Sequence, residues 1–256
     1  MTDTPSQAFI RGNRQALERE LADSPRRQFF SPAAYSQYTV TLPLLLKFAR
    51  GRLIDLGCGN MPFRSFVSGQ LIGYDSLDLF PRHTLVTYVG DIQNMTMIQD
   101  ETYDTALCME VLEHVPDPFR AAREIYRILK PGGILVMSVP HLSRLHEQPH
   151  DYYRYTRHGV RCLLEQAGFE VLQLEKRGGI FSFVGHQFST LILGVVWRVP
   201  VVKTVAWSLN SWLITRFCYW LDGRLDASGL FALGYSAVAR KAGEPSSKPL
   251  TPEALS

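Results

Sequence analysis

Short apolar runs alternate with helix-like stretches along the chain, and this alternation constrains the fold more than any other feature. The apolar runs occupy residues 52–57, 70–75, 84–91, 103–109, 133–140 and 169–176. Residues 117–133 carry apolar side chains at helical spacing, and Pro131-Gly132-Gly133 predicts the end of that helix. A second helix is predicted over residues 158–168. Strands separated by helices indicate an α/β fold with a mostly parallel sheet and helices on both faces.

The bulk composition narrows the class of protein. A chain of 256 residues with 46% hydrophobic content can bury a substantial core. A formal net charge of +3, spread along the chain, gives no support for binding nucleic acid. The four cysteines are too far apart for metal-ligand or redox spacing, so we predict reduced thiols in a cytoplasmic protein and no metal site. The polar N-terminus lacks the apolar segment of a signal peptide.

The first apolar run ends in the stretch LIDLGCGNMP, residues 53–62. Ligands of open α/β sheets bind beyond the carboxyl ends of the strands, so a turn with Gly57 and Gly59 predicts the close approach of a ligand. The third glycine of a dinucleotide fingerprint is missing. Asp55 repels a phosphate and attracts an ammonium group. These residues favour a cationic ligand over a pyrophosphate, and the alternative is an ordinary tight connection.

Two further acids follow the next strands. Asp75 is predicted to end the second strand and to accept hydrogen bonds from both hydroxyls of a ribose. Asp91 follows the third strand, where it is placed to accept from an adenine amine while Ile92 packs on the ring. The alternatives are an ordinary turn residue at position 75 and a helix cap at position 91. Acids at successive strand ends predict one pocket for an aminoacyl group, a ribose and an adenine.

Five motifs, in this order, resemble the class I S-adenosylmethionine-dependent methyltransferases of the type 11 branch. They are Asp55-Leu-Gly57-Cys-Gly59, Gly73-Tyr-Asp75, Gly90-Asp91-Ile92, Val111-Leu-Glu113-His114-Val115 and Leu129-Lys-Pro131-Gly132-Gly133. The resemblance covers residues 51–175 and 230–241. It implies a Rossmann-like, seven-stranded, mostly parallel sheet whose last strand is antiparallel, with S-adenosyl-L-methionine as the cofactor.

The resemblance also implies which residues bind the cofactor. They are Asp55, Gly57, Cys58, Gly59, Asp75, Asp91, Ile92, Met109 and Glu110. Met109 and Glu110 come after the fourth strand and would lie along the methionine arm.

Residues 141–158 combine histidine, tyrosine, aspartate and arginine directly after the fifth strand, at the rim of the predicted pocket. A sulfonium methyl group is already activated, so a base is needed only for a hydroxyl or an acidic-carbon acceptor. The candidates for acceptor binding or proton removal are His114, His146, His150, Asp151, Tyr152 and Tyr155. The alternatives are structural, since Thr156 can cap the following helix and Arg154 can pair with Asp151.

A long hydrophobic insertion separates the last two predicted strands. Residues 180–197 carry no formal charge if His186 is neutral, and every tryptophan of the chain lies within 197–220. A polar stripe comprises Thr204, Ser208, Ser211, Thr215 and Asp222. Basic residues flank or interrupt the segment, namely Lys176, Arg177, Arg198, Lys203, Arg216 and Arg224. Three interpretations remain open: a helical hairpin lying on anionic lipid, a soluble cap or dimer interface, and a true membrane span.

The predicted organisation has four parts. They are an N-terminal helical cap at 1–50, a cofactor-binding domain at 51–179 and 230–242, a helical insertion at 180–229 and a disordered tail at 243–256. The helix before the first strand either covers the cofactor or packs on the sheet edge.

The predicted function is methyl transfer to a small or lipid-linked acceptor, with O-methylation of a glycan or lipid-linked sugar preferred. The alternatives are C-methylation in quinone or isoprenoid biosynthesis and a non-catalytic cofactor-binding scaffold at a membrane. The predicted location is cytoplasmic, with peripheral contact at the inner face of the membrane through residues 180–229. The sequence predicts neither the acceptor's identity nor the oligomeric state.

Overall fold

The computed structural model describes residues 5–21, 24–81, 84–226 and 229–242. Its centre is a seven-stranded sheet. The strands are β1 (Arg52–Leu56), β2 (Gly73–Asp78), β3 (Tyr88–Val89), β4 (Tyr103–Met109), β5 (Leu129–Pro140), β6 (Phe169–Arg177) and β7 (Gly234–Lys241). The tail predicted to be disordered, residues 243–256, lies outside the described residues.

The strand order is β3-β2-β1-β4-β5-β7-β6. β1 to β5 pair in parallel, and β7 runs antiparallel to both β5 and β6. The carboxyl ends of β1 to β6 therefore lie at one edge of the sheet, and the order reverses between β1 and β4, where ligands of such folds bind. The predicted fold class is confirmed.

Helices cover both faces of the sheet. They are α1 (Pro5–Leu21), α2 (Pro32–Phe48), α3 (Arg64–Val67), α4 (Pro118–Ile128), α5 (Arg157–Gln166), α6 (Ile180–Val196), α7 (Pro200–Leu209) and α8 (Phe217–Leu225). Short 3-10 segments occupy Pro25–Phe29, Ser68–Gln70 and Leu112–His114, and a π-helical segment, Asn210–Arg216, joins α7 to α8.

Neighbouring residues of a strand point to opposite faces of the sheet, which divides the core in two. Ile54 of β1 packs in one cluster with Ile125 of α4 and Leu163 of α5. Leu53 packs in the other cluster with Leu45 of α2. The helix that precedes β1 therefore packs on a face of the sheet, so the prediction that it packs on the sheet edge is wrong. That it also covers the cofactor stays a prediction.

The end of α4 differs from the sequence prediction. Pro131-Gly132-Gly133 was expected to end this helix, but the helix ends at Ile128, and Leu129 already has an extended backbone with ψ of 140°. The Pro-Gly-Gly stretch lies instead in the irregular start of β5, where the register with β4 shifts between Tyr103 and Thr105. Gly132 takes a φ of 74° there, so the glycine serves a bulged strand rather than a helix terminus.

One aspartate joins the first and last helices of the insertion. Asp222 of α8 accepts hydrogen bonds from the backbone N–H groups of Gly179, Phe181 and Ser182, at 2.8, 2.9 and 3.0 Å. These donors open α6, so Asp222 caps that helix from a distant position in the sequence. Within the described residues, no helix combines the length and the apolarity that a membrane crossing requires.

Candidate cofactor and acceptor site

The loop after β1 takes a conformation that requires glycine. Gly57 and Gly59 have φ of 66° and 49°, in the left-handed region. A Cβ atom at position 57 would lie 2.5 Å from Val111 Cγ2, whereas one at position 59 would meet open space. The N–H groups of Gly57 and Cys58 both donate to the carbonyl of Leu77, at 2.8 and 3.2 Å. The loop is therefore held against the end of β2.

The acid at the end of β2 is Asp78. Its Oδ2 accepts from the backbone N–H of Gly59 at 2.8 Å, and its Oδ1 accepts from the N–H of Phe80 at 2.9 Å. Asp78 thus lies beside the glycine loop, where the sequence analysis expected Asp75. The sequence contains this acid as well, because residues 74–78 read Tyr-Asp-Ser-Leu-Asp and end in a second aspartate.

The prediction that Asp75 ends β2 is wrong. Asp75 pairs with Ile54 in the middle of the sheet, and its carboxylate accepts from Arg52 Nε at 2.8 Å and from the Tyr103 hydroxyl at 3.0 Å. It lies about 10 Å before the strand end, from the rise per residue of a strand. The apolar run had suggested a strand over 70–75, but Ile72 is 90% exposed and precedes the strand.

Asp55 and Cys58 occupy the places that the sequence predicted. Asp55 is buried in β1 and accepts a hydrogen bond from the Tyr74 hydroxyl at 2.5 Å. Burial raises the pKa of Asp55 to about 7, helped by the nearby charge of Asp78. Burial also raises the pKa of the Cys58 thiol to about 12, so Cys58 stays protonated and serves as part of the loop.

The acid after β3 holds its own turn together. Asp91 Oδ1 accepts from the backbone N–H of Gln93 at 2.8 Å, and the Gln93 amide donates to both of its oxygens. Ile92 is buried in the core cluster of the sheet. No helix follows Asp91 in the described residues before β4, so the helix-cap alternative is wrong, and Asp91 closes a turn instead. The adenine contacts of both residues stay predictions.

A buried arginine pairs with the glutamate that follows β4. Glu110 follows Met109 with a φ of 54°, and its Oε1 accepts from Arg177 at 2.6 Å. Arg177 ends β6, is almost fully buried and also donates to the carbonyl of Val139 at 3.0 Å. Arg177 flanks the insertion, as predicted, but it is buried and paired, so it is not among the basic residues that could contact an anionic lipid. Its position directly after the apolar run 169–176 is the sequence signal that places it at the same edge of the sheet as Glu110.

The segment 141–156 folds back onto residues 112–116. The backbone N–H groups of Tyr152 and Tyr153 donate to the carbonyl of Glu113 at 2.8 and 3.2 Å. The Tyr155 hydroxyl donates to the carbonyl of Leu112 at 2.9 Å. These bonds bring residues 146 and 150 beside His114, at the rim where the sequence placed all three histidines.

Asp151 has a structural partner. Arg154 donates to its two oxygens at 2.6 and 2.8 Å, and the N–H of His146 donates at 2.8 Å. These hydrogen bonds, first that from Arg154, hold the pKa of Asp151 well below its usual range. An ionised, doubly bonded carboxylate is a poor general base, so the geometry favours the ion-pair alternative. Thr156 likewise caps α5 by accepting from the Gly159 N–H at 3.0 Å.

Two of the remaining rim candidates, His114 and His146, lie beside a carboxylate to which no role was assigned from the sequence. Glu113 is fully buried, and burial raises its pKa well above the usual range, with a further contribution from Glu110. Its Oε1 lies 3.7 Å from His114 Nε2 and 3.9 Å from His146 Nε2. His150 Nδ1 lies 3.2 Å from the Tyr152 hydroxyl at the exposed rim.

The strand ends fit the cofactor that the resemblance implies. Each oxygen of Asp78 accepts a backbone N–H, and a carboxylate oxygen has a second lone pair for a ribose hydroxyl. Asp55 and Glu110 place further acidic groups around the loop, as the ammonium and sulfonium groups of such a cofactor require. Gly59 leaves open space where a side chain would stand.

Comparisons with known proteins agree with this geometry. A family model described as a methyltransferase domain matches residues 26–174. A ubiquinone biosynthesis O-methyltransferase of Xanthomonas euvesicatoria pv. vesicatoria (strain 85-10) is 34% identical over 106 residues, which cover 36% of this chain and 44% of the relative. The chain therefore spans less than half the length of the curated relatives it matches.

Solved structures share the fold at low sequence identity. A putative sarcosine dimethylglycine methyltransferase from Galdieria sulphuraria aligns with a TM-score of 0.57 and 14% identity, covering 91% of this chain and 98% of that chain. Haemonchus contortus Phospholethanolamine N-methyltransferase 2, solved with S-adenosylhomocysteine, aligns with a TM-score of 0.56 and 16% identity, covering 94% and 61%.

Proposed function

The chain belongs to the methyltransferase-domain family, and from that premise we propose that it transfers a methyl group from S-adenosylmethionine to a hydroxyl of a quinone-type acceptor with an apolar tail. The cofactor supplies an activated sulfonium methyl group, so the main task of the protein is to position the acceptor and to exclude water. The matched relative is named for O-methylation in ubiquinone biosynthesis. That name favours a quinone-type acceptor over the glycan or lipid-linked sugar preferred from the sequence.

The residues that would hold the cofactor lie at the strand ends. We assign the ribose hydroxyls to Asp78 in place of Asp75, and the loop with Gly57 and Gly59 to the methionine part. Asp55 and Glu110 are the acidic residues beside it, and a bound ammonium or sulfonium group would favour the ionised form of the Asp55 carboxyl. The rim built from residues 112–116 and 141–156 closes the acceptor side of the same edge.

One observation carries the apolar acceptor: the insertion buries several polar side chains and exposes many of its apolar ones. Thr215 and Asp222 are buried, while Trp212 and Leu213 are 66% and 64% exposed. Amphipathic helices of soluble proteins bury their apolar stripe instead. The exposed apolar residues form a run along α6, α7 and α8 that includes Phe188, Leu191, Val201, Val205, Leu209, Phe217 and Trp220. A surface of this kind marks a contact with lipid or with a partner.

The basic side chains of the insertion favour lipid over a protein partner as the contact of this surface. Arg198 and Arg224 are exposed in the same segment as the tryptophans. Tryptophan and basic side chains together suit the boundary of an anionic bilayer. The insertion also leaves the sheet at the edge that holds the site, because α6 begins at Ile180 directly after Arg177, the partner of Glu110. On this proposal, a substrate held in a membrane would approach the site from the side of the insertion.

The acceptor is tested with the purified full chain and S-adenosylmethionine labelled in the methyl group. A phenolic quinone precursor with a short isoprenoid tail should be labelled on oxygen, and a polyprenyl-phosphate sugar should not. Mass spectrometry and NMR of the product distinguish O-methylation from C-methylation. Label in the sugar alone, or on ring carbon, would contradict the proposed acceptor. Absence of transfer to any lipid or aqueous extract, with S-adenosylhomocysteine still bound, would favour the scaffold alternative.

The membrane contact is tested by sedimentation with vesicles. Vesicles containing phosphatidylglycerol should pellet the protein at low salt. The double substitution Trp212→Glu and Leu213→Glu should weaken vesicle binding at least tenfold. The control Ile72→Glu, at an exposed apolar position outside the insertion, should leave vesicle binding unchanged. The alternative is an interface with a second copy of the chain. It would be supported if the protein stays in the supernatant, elutes as a dimer in gel filtration, and becomes monomeric with the double substitution.

A further inference from the structure

Three possible metal-ligand atoms converge beside the acceptor rim. Oε1 of Glu113, Nε2 of His114 and Nε2 of His146 belong to a group whose ligand atoms all lie within 4.8 Å of one another. Glu113 is fully buried, and neither of its carboxylate oxygens accepts a hydrogen bond from any described residue. A buried carboxylate without a partner is costly, so this arrangement requires an explanation.

The hydrogen bonds of the two imidazoles fix which nitrogen faces Glu113. His114 Nδ1 lies 2.5 Å from the backbone carbonyl of His150, and His146 Nδ1 lies 3.1 Å from the carbonyl of Arg144. A carbonyl can only accept, so Nδ1 carries the proton in His114. In His146 the carbonyl of Arg144, at 3.1 Å, is closer to Nδ1 than the donor Arg154 Nη2, at 3.5 Å, which favours the same tautomer. In the neutral rings Nε2 then offers a lone pair, and both Nε2 atoms face the same oxygen of Glu113.

A proton on Glu113 does not resolve the arrangement. The distances from Oε1 to the two Nε2 atoms, 3.7 and 3.9 Å, are longer than a hydrogen bond. A cation satisfies all three atoms at once, because each of them has an electron pair to donate. Ligand atoms at about 2.1 Å from one ion lie about 3.0–3.4 Å apart, so side-chain shifts of about 0.5–1 Å would close the site.

We propose that Glu113, His114 and His146 bind a divalent first-row transition-metal ion. Two imidazole nitrogens with one carboxylate favour Zn²⁺, Fe²⁺ or Mn²⁺ over Mg²⁺ and Ca²⁺, which prefer oxygen ligands. Backbone carbonyls that hold the Nδ1 protons are the support that metal-binding histidines usually have. Glu110 stays outside the set because it is paired with Arg177.

The site lies where an acceptor would be bound. Residues 112–114 follow β4, and His146 lies in the rim segment that follows β5. Three protein ligands leave coordination positions open, and the partial exposure of His146 gives access to them. A hydroxyl bound to the ion would release its proton to water more readily. This consequence, unlike the metal binding itself, rests on the proposed function.

The full chain is stripped with chelator and titrated with Zn²⁺ by calorimetry and with Co²⁺ by visible absorption. We expect binding at a single site, and an absorption band typical of nitrogen and oxygen ligands. His146→Ala and Glu113→Gln should each weaken binding at least about 100-fold, because ligand loss exceeds the effect of losing a supporting residue. His158→Ala, at an exposed histidine of α5, is the matched control and should bind as the unmodified protein does.

The outcomes separate this inference from the proposed function. Circular dichroism checks that the Glu113 variant is folded, and the half-buried His146 provides a second variant if it is not. Stripped protein that binds neither ion, or a folded His146 variant that binds as tightly as the control, overturns the metal site. Binding of S-adenosylhomocysteine is measured on the same samples. If S-adenosylhomocysteine binds but no metal binds, the metal site is refuted and the methyltransferase assignment stands. If S-adenosylhomocysteine does not bind, the methyltransferase assignment is refuted whether or not a metal binds.

Discussion

Replacement of Asp78 by asparagine tests the cofactor pocket most directly. Asp78 holds the Gly59 N–H at 2.8 Å and ends the strand beside the glycine loop. Asparagine has the same shape and keeps one oxygen for the loop, but it loses the negative charge that both ribose hydroxyls would use. Charged hydrogen bonds contribute about 1.5–3 kcal/mol each and neutral ones about 0.5–1.5. The substitution should therefore cost about 2–4 kcal/mol of binding free energy, which is roughly a 30- to 700-fold increase in Kd.

Asp75→Asn is the matched control. The carboxylate of Asp75 pairs with Arg52 and Tyr103 in the amino-terminal half of the sheet. Its loss should lower the free energy of unfolding by about 1 kcal/mol or less, since the Arg52 side chain is 45% exposed. The Kd for S-adenosylhomocysteine should change less than about twofold, a difference of about 0.4 kcal/mol.

The assay is calorimetric titration of S-adenosylhomocysteine into each purified variant, with thermal unfolding as a check of the fold. The expected order of affinity is unmodified protein, then Asp75→Asn close behind, then Asp78→Asn far weaker. The reasoning is refuted if Asp75→Asn loses the ligand while Asp78→Asn retains it, because the strand register would then place the wrong acid at the pocket.

Three further predictions concern stability. Asp222→Ala removes the cap of α6 and should lower the unfolding free energy by about 1–2 kcal/mol in urea titrations; a change below about 0.5 would contradict that role. The raised pKa of Asp55, about 7, means that the folded state holds a proton that the unfolded state has lost. Stability should therefore fall between about pH 4 and pH 7, by as much as about 4 kcal/mol, and Asp55→Asn should flatten that part of the profile; parallel profiles would contradict it. Gly57→Ala should lower the melting temperature more than Gly59→Ala, because only the former adds a clash with Val111 to the left-handed strain; equal losses would show that the clash relaxes freely.

The sequence by itself determined the elements whose signals are local. The apolar run of β1 and the two glycines specify a strand followed by a left-handed turn, since these depend on residues adjacent in the chain. Spacing of apolar residues likewise located α4 and α5. The order of strand-end motifs was sufficient to indicate the fold class and the cofactor class, because parallel strands bring their carboxyl ends to one edge whatever their detailed pairing.

Tertiary structure decided everything that depends on register or on partners distant in sequence. Whether Asp75 or Asp78 ends β2 follows from hydrogen bonding to β1, which composition does not encode. Burial of Arg177 against Glu110 joins residues 67 positions apart. The polar stripe of the insertion was visible in the sequence, but not that its second half, Ser211, Thr215 and Asp222, is buried while Trp212 is exposed. The convergence of His146 on Glu113 likewise required the backbone bonds of the rim, because a side chain can bind only what the folded backbone places beside it.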